Sequence, residues 1–458
     1  MIKKGDKKII RGWVFYDWAN SVYNLVISSA IFPIFYDSIT TKNFTEKYNT
    51  LKGLAADTPL PANVPVTVDF FGSQFSPTVL MSFVLSASFI IVSILSPMLS
   101  GVADFSGNKK RFLQFFCYLG ALSCISLYWF DVKYMEISML SLFLASIGFW
   151  NSLVFYNAYL PEIAEPKDHD RISARGFSMG YFGGMLLLVI CLALIMGIGP
   201  HMTKWCFVLV GLWWIGFSQI TYRVIPNNVY NKPKQTGIIW KGFKELWLVF
   251  QEFKKIKSLR RYLSAFFFFN TGVQTVMLMA VLYASHEIFV GQYEKEGQSG
   301  LIVAILLIQI LGAVGAFLLS RLSGIIGNLK SLIIVVTFWV PLCVSAYFLT
   351  TPFQFYFLAC GVGLVMGGVQ ALSRSTYSKL LPETQDHASY FSFYDVTEKI
   401  GIVLGTFFFG FMEYMTGDIR SSILSVIFFF AVGLILLFFV PSMSKEQHIR
   451  EELSDNYF

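Results

Sequence analysis

A chain of 458 residues in which 55% are hydrophobic, 17% aromatic and only 14% charged is excluded from the ordinary soluble enzymes, whose charged fraction is roughly 25%. The composition is that of a polytopic membrane protein, with a mean hydropathy of +0.60. The net charge of +7 does not imply a nucleic-acid partner, because the basic residues are sorted along the chain.

The basic start of the chain runs into an apolar span, 13–36, that is too long for a signal-peptide core and lacks a small-residue cleavage site. It is expected to be retained. Inside it sit Asp17, Asn20 and Asn24. At 100° per residue, Trp13, Asp17, Asn20 and Asn24 share one helical face, with Val26, Ile27, Ile31 and Phe32 elsewhere. Such groups are costly against lipid, so the stripe is predicted to face protein or a watery cavity.

Each crossing needs about 20 mostly apolar residues. Further spans are predicted at 78–102, 112–130, 137–160, 174–198, 204–224, 262–289, 299–320, 331–350, 353–377, 389–416 and 420–440, giving an all-α protein of twelve transmembrane helices. The tenth and eleventh are interrupted by Gln370, Arg374, Asp395, Glu398 and Lys399. One side receives Lys3, Lys4, Lys7, Lys8 and Arg11, then Lys109, Lys110 and Arg111, then Lys167, Arg171 and Arg175, then the basic run from Lys232 to Arg261. The opposite loops are poorer, with Lys42, Lys47, Lys52, Lys133, Lys204, Lys295 and Arg420. The positive-inside rule then puts both termini in the cytoplasm, and a bacterial cytoplasmic membrane is the expected location.

Two connections are long. The outer loop 37–77 contains "PVTVDFFGSQF", whose alternation around Gly72 predicts a small hairpin or cap. The inner segment 225–261 contains "WKGFKELWLVFQEFKKIK", where Trp240, Phe243, Trp247, Phe250 and Phe253 recur at helical spacing against a lysine-rich face. A helix lying on the inner leaflet is predicted there, in a linker between a half at 1–224 and a half at 262–458.

The halves repeat each other. "SGVADFSGNKK" at 100–110 and "SRLSGIIGNLK" at 320–330 recur in the same loop, and "AYLPE" ending at Glu162 recurs as "KLLPE" ending at Glu383. "YDWANS" at 16–21 lies over "NTGVQT" at 270–275, pairing Asp17 with Thr271 and Asn20 with Gln274. Parallel repeats of this kind fit a transporter that encloses a central site.

Candidate residues carry open alternatives. Asp17 reads as a protonatable group or an ammonium ligand, or as one half of a buried ion pair with Arg374 or Lys399. Asn20, Asn24, Asn270 and Gln274 suit zwitterions or sugar hydroxyls, or hydrogen bonding between helices. Tyr16, Tyr23, Tyr156 and Trp150 read as cavity lining or as packing. Asp395, Glu398 and Lys399, with Arg374 near their level, read first as a structural charge cluster at an inner gate and second as a proton path. His286 and Glu287 are read as solvated. Gly176, Gly180 and Gly184, and Gly312, Ala316 and Ser320, recur every four residues, a spacing that permits close helix approach. Cys117, Cys124, Cys191, Cys206, Cys343 and Cys360 lie in apolar spans without metal-like spacing and read as small buried hydrophobes. Neither a nucleotide-binding loop nor a hydrolase signature is present, so no cofactor, no metal and no enzymatic activity are expected.

Gly101, Asp104, Gly107 and Lys109 in "SGVADFSGNKKR" resemble the loop 2–3 signature of the major facilitator superfamily, with Ser100 and Asn108 departing from it. The resemblance implies that Asp104, Lys109, Lys110 and Arg111 form a cytoplasmic gate, and Gly324 replaces the acid in the second copy. It also implies that the fifth and eighth helices slide against each other. "YDWANSVY", "FYNAYLPEIA", "NTGVQTVMLMA" and "GGVQALSRSTYSKLLPETQDHASYFSFYDVTEKIG" together resemble the unknown major facilitator group, related to the autophagy-associated vacuolar amino-acid effluxer. Thr271 stands where that group often has an acid. The resemblance implies two pseudo-symmetric six-helix bundles and secondary transport of a small polar solute, amino acids first, using protons or another coupling ion. The alternatives are a sugar or peptidoglycan-fragment permease, and a membrane receptor that transports nothing.

Overall fold

The computed structural model describes residues 4–441 except 57, 62–63, 228, 231–237, 291 and 294–296. Lys3, Lys232 and Lys295 lie outside the described residues. The long helices are α1 Lys7–Lys52, α2 Pro77–Ser106, α3 Lys109–Ser126, α4 Met135–Asn157, α5 His169–Gly197 and α6 Thr203–Val224. A linker helix, Ile238–Lys255, follows. Then come α7 Lys257–Glu287, α8 Gly297–Ile326, α9 Asn328–Tyr347, α10 Pro352–Leu380, α11 His387–Thr416 and α12 Ser422–Phe438. Among the described residues eleven helical segments are long and apolar enough to cross a membrane. The helix α11, which carries Asp395, Glu398 and Lys399, is not one of them.

The chain enters α1 through Asp6, whose carboxylate accepts from the Lys8 amide at 2.8 Å and so caps the first turn. The helix then departs from expectation twice. It widens to a π-helix over Tyr23–Ala30, and it runs through polar residues 37–52, where a loop was predicted. The hydroxyls of Thr40, Thr45 and Thr50 donate back to carbonyls four residues earlier, so polarity alone breaks nothing. The helix ends where Gly53 adopts φ +67°. Beyond it the predicted hairpin is present: Val68–Phe70 (β1) pairs antiparallel with Ser73–Phe75 (β2). Its turn holds Phe71 and Gly72 at positive φ, and the Phe71 amide donates to Glu136 of α4 at 3.0 Å.

The two sequence repeats occupy equivalent corners. Gly107 (φ +69°) and Gly327 (φ +90°) turn the chain from α2 into α3 and from α8 into α9, a backbone shape that glycine adopts without strain. Helix α1 packs on α5 and α6, and α4 on α2 and α3; α7 packs on α11 and α12, and α10 on α8 and α9. These two groups meet through α2 against α11 and α5 against α8, with α4–α11 and α5–α10 contacts beside them. Shifting each helix number by six exchanges these contacts, so the interface has a pseudo-twofold axis.

The glycine stripe on α5 serves tight packing within one group of helices and not the α5–α8 contact that the resemblance implies. Gly176, Gly180 and Gly184 face Asp17, Ser21 and Leu25 of α1, inside the first group of helices. The α5–α8 contact is made instead by Tyr181 over Gly312 and by Ala174 beside Ala316. All six cysteines are free, and five are buried.

The linker helix packs along the end of α2. A Cβ on Gly101 would collide with the Gly242 carbonyl of that helix, whereas one on Gly324 meets nothing within 4 Å. Gly101→Ala is therefore expected to lower the unfolding temperature, at a cost of about 1–3 kcal/mol, and to speed labelling of a cysteine at Leu246. Gly324→Ala is expected to do neither.

Candidate functional site

The hydrogen bonds and ion pairs that join residues 1–224 to residues 262–441 gather toward one end of the helices, the end rich in lysine and arginine. Three clusters form there. In the first, Asp104 at the end of α2 accepts from the Ala388 and Ser389 amides at 3.2 and 2.7 Å and from the Ser389 hydroxyl at 2.9 Å. The carboxylate thus sits on the N-terminus of α11, where the first amides lack helical partners. Lys109 lies 3.5 Å from Asp104 and bonds Glu162, which also meets His387 Nδ1 at 3.3 Å. Tyr230 closes this cluster at 3.3 Å from His387. Burial, with Glu162 and Asp104 adding to it, pushes its phenol far above the ordinary value, so it stays neutral. Of the four predicted gate residues in loop 2–3, Asp104 and Lys109 take part. Lys110 is half-buried and Arg111 exposed, both outside the cluster.

The second cluster was not foreseen. Asp170 at the start of α5 accepts from Lys379 Nζ of α10 at 2.7 Å, from Asn328 of α9 at 2.6 Å and from Ser323 of α8 at 2.9 Å. Where Gly324 leaves the second loop without an acid, the acid comes from the opposite helix. Both clusters place a carboxylate between the two groups of helices, but on opposite sides of the pseudo-axis.

The third cluster holds the stripe on α1. Arg374 of α10 lies 3.1 Å from Asp17 Oδ2, and the Tyr156 hydroxyl donates to the same oxygen at 2.7 Å. The guanidinium also donates to the Ser173 carbonyl and hydroxyl, both at 2.9 Å, and to Asn157 at 3.3 Å. Its Cζ lies 4.8 Å from the Trp13 ring centroid and 4.2 Å from that of Phe177, within cation–π range. Trp13 stacks on Tyr156 at 4.4 Å and donates to its carbonyl. Only a glycine fits at position 176, because a Cβ there would collide with the Asp17 carboxylate and approach Arg374. Asp17 is thus paired with Arg374, not with Lys399.

Beyond this pair lies a cavity of about 150 Å³ between the two groups of helices. From one side Asp17, Asn20 and Asn24 of α1 line it, with Trp150 and Asn157 of α4 and Tyr181 of α5. From the other come Asn270 and Gln274 of α7, Gln309 of α8, Gln370 and Arg374 of α10 and Glu398 of α11. The predicted stripe, its partner stripe on α7 and Glu398 are thus brought together. Asn157, Gln309, Tyr181 and Gln370 join them, the last two bonded to each other at 2.7 Å. The amide nitrogens of Asn20 and Asn270 are buried without hydrogen-bond partners. Tyr23 is not in the cavity. On the π-helix it turns into the first group, 4.7 Å from Phe149 and 6.0 Å from Trp214; Tyr16, also fully buried, packs on Tyr156 and Tyr222. Glu287 pairs with Arg420 at 2.6 Å at the opposite end.

Residues 5–449 match the family described as "Vacuole effluxer Atg22 like". The chain belongs to this family. Its relatives include the uncharacterized MFS-type transporter YxiO of Bacillus subtilis, 28% identical with 94% of each chain covered. Autophagy-related protein 22 of Yarrowia lipolytica is 24% identical over 86% of this chain and 81% of that one. The fold is that of the major facilitator superfamily. The human organic anion transporter MFSD10 superposes with a TM-score of 0.68 at 11% identity, covering 95% of this chain and all of that one. The transporter FucP in its outward conformation superposes with a TM-score of 0.62 at 15% identity, covering 96% and 99%. The chain is an integral membrane protein of this superfamily.

The Asp17–Arg374 pair gives a prediction. Removing one partner of a buried pair strands the other charge, at about 3–5 kcal/mol. Arg374→Gln is expected to destabilise by that order, and Asp17→Asn with Arg374→Gln by clearly less than the sum of the single losses, as read from thermal unfolding in detergent. Additive losses would contradict the pairing.

Proposed function

We propose that the chain is a secondary transporter that moves a small polar solute by alternating access. In this reading two six-helix halves, 1–224 and 262–458, joined by the linker 225–261, rock about the cavity, and α11 crosses the membrane with the other eleven. The basic face is the cytoplasmic face by the positive-inside rule, which puts both termini inside. The family's bacterial relative favours a bacterial cytoplasmic membrane. The arrangement then corresponds to a state closed toward the cytoplasm by three polar clusters.

The observation that carries the reading is the cavity lining. Carboxamides from both halves converge on one space, two of them with unused donors, while the clusters that lock the halves lie to one side of it. A site shared by both halves and sealed at one end is what alternating access requires. Amino acids are the first candidates, since Arg374 and Glu398 place opposite charges on the cavity wall. A sugar is the second reading, favoured by the number of carboxamides, which both donate and accept.

Protein reconstituted in liposomes and screened by counterflow against amino acids, sugars and nucleosides tests this. One solute class is expected to exchange saturably. Gln274→Ala is expected to raise its half-saturation concentration about tenfold, the loss of one hydrogen bond of about 1.4 kcal/mol. Absence of exchange for every class, from folded protein, would favour the receptor reading.

A further inference from the structure

Asp17 is balanced one to one by Arg374. The other buried charges facing the centre of the molecule are not balanced. On α11, Lys399 Nζ lies 3.0 Å from Asp395 Oδ1 and 2.9 Å from Glu398 Oε2, so two carboxylates share a single ammonium. Lys399 is fully buried and Asp395 is 5% exposed. Two buried charged groups on surrounding helices are committed elsewhere. Arg374 of α10 is held by Asp17, and Asp104 of α2 by Lys109 and the start of α11. Glu252 of the linker helix meets Tyr390, two turns away. At the level of the triad α4 presents Trp150, with Lys399 3.6 Å from its ring, and α7 presents Gln274, which donates to Glu398 at 2.7 Å. Helix α12 has no titratable side chain.

A second observation points to what is missing. Asp395 Oδ2 and the hydroxyl of Ser96 on α2 are buried side by side, with no other hydrogen-bond partner for either. An uncompensated carboxylate oxygen at this depth is costly. One proton bound at Asp395 Oδ2 cancels the excess charge, and the Ser96 hydroxyl serves either state, donating to the carboxylate or accepting from the acid.

We propose that Asp395, Glu398 and Lys399 form a proton-binding site in which the two carboxylates hold one proton between them, and that this proton, not one on Asp17, couples to transport. Glu398 lines the cavity and receives the proton from its water, leaving water in place of hydronium. Asp395 retains it against α2. Because Ser96 and Trp150 belong to the first half and the triad to the second, separating the halves removes the surroundings that favour the neutral carboxyl, and the proton leaves to water on the newly opened side. This rests on the transport reading for its role but not for the occupancy of the site.

Infrared difference spectroscopy of the full chain in lipid at neutral pH reads that occupancy directly. The wild type is expected to show a carboxylic-acid C=O band. Asp395→Asn and Glu398→Gln, both nearly isosteric, are each expected to lose it, because the remaining acid then pairs with Lys399 alone. Lys399→Met is expected to strengthen it. Asp395→Asn is also expected to lose solute accumulation driven by a proton gradient. A wild type without the band, or a band that survives both acid variants, overturns the proposal. A band that behaves as stated in a protein that exchanges no solute overturns the transport reading alone.

Discussion

The contact on which the rest depends is the ion pair between Asp17 and Arg374. A charge inside a membrane protein is tolerated only with an opposite charge and hydrogen bonds around it. Here the acid belongs to the first helix and the base to the tenth, so neither group of helices satisfies its own charge. The partners are fixed by what surrounds them: Tyr156 orients the carboxylate, Trp13 and Phe177 cover the guanidinium, and Gly176 leaves room for both. Docking of the halves at this face is thereby an electrostatic requirement as well as a packing one.

The other two clusters extend the rule and show how a duplicated architecture loses its symmetry. In the first repeat Asp104 caps the start of α11 from the loop. In the second the loop supplies Asn328, and Asp170 reaches it from the start of α5. Each corner needs one buried carboxylate at a helix junction. It does not matter to the electrostatics which half provides it. The triad on α11 differs in its place: two acids share one base on a single helix, and one of them, Glu398, lines the cavity.

Much of this was legible in the sequence because the membrane makes polarity informative. Asp17, Asn20 and Asn24 on one face of an apolar span can only look inward, and Gln274 follows from Asn20 by the repeat, with Asn270 one turn before it. The turns at Gly107 and Gly327 and the hairpin around Gly72 were readable from glycine placement. Other features had no such signal. Asp170 stands in "KDHDRIS", a charged stretch that reads as a solvated loop, and only the packing of α8 to α10 buries it. The glycine stripe on α5 showed that some helix approaches closely but not which one, and the partner is α1. Tyr23 could be read as cavity lining or as packing, and on the π-helix over Tyr23–Ala30 it packs on Phe149 and Trp214. The helix through 37–52 looked like loop because hydroxyls and charges replaced apolar residues, although nothing there interrupts backbone hydrogen bonding before Gly53.

The central claim is that buried polar contacts hold the two halves together at the basic face while the cavity lies beyond them. A pulsed electron–electron distance measurement between labels at Arg111 and Lys330, both exposed at that face, tests it most directly. The account predicts one narrow distance in the wild type, and a longer population in Asp104→Asn combined with Asp170→Asn, where two of the three clusters are broken. An unchanged single distance in that double variant, or a broad long distance in the wild type, would contradict it.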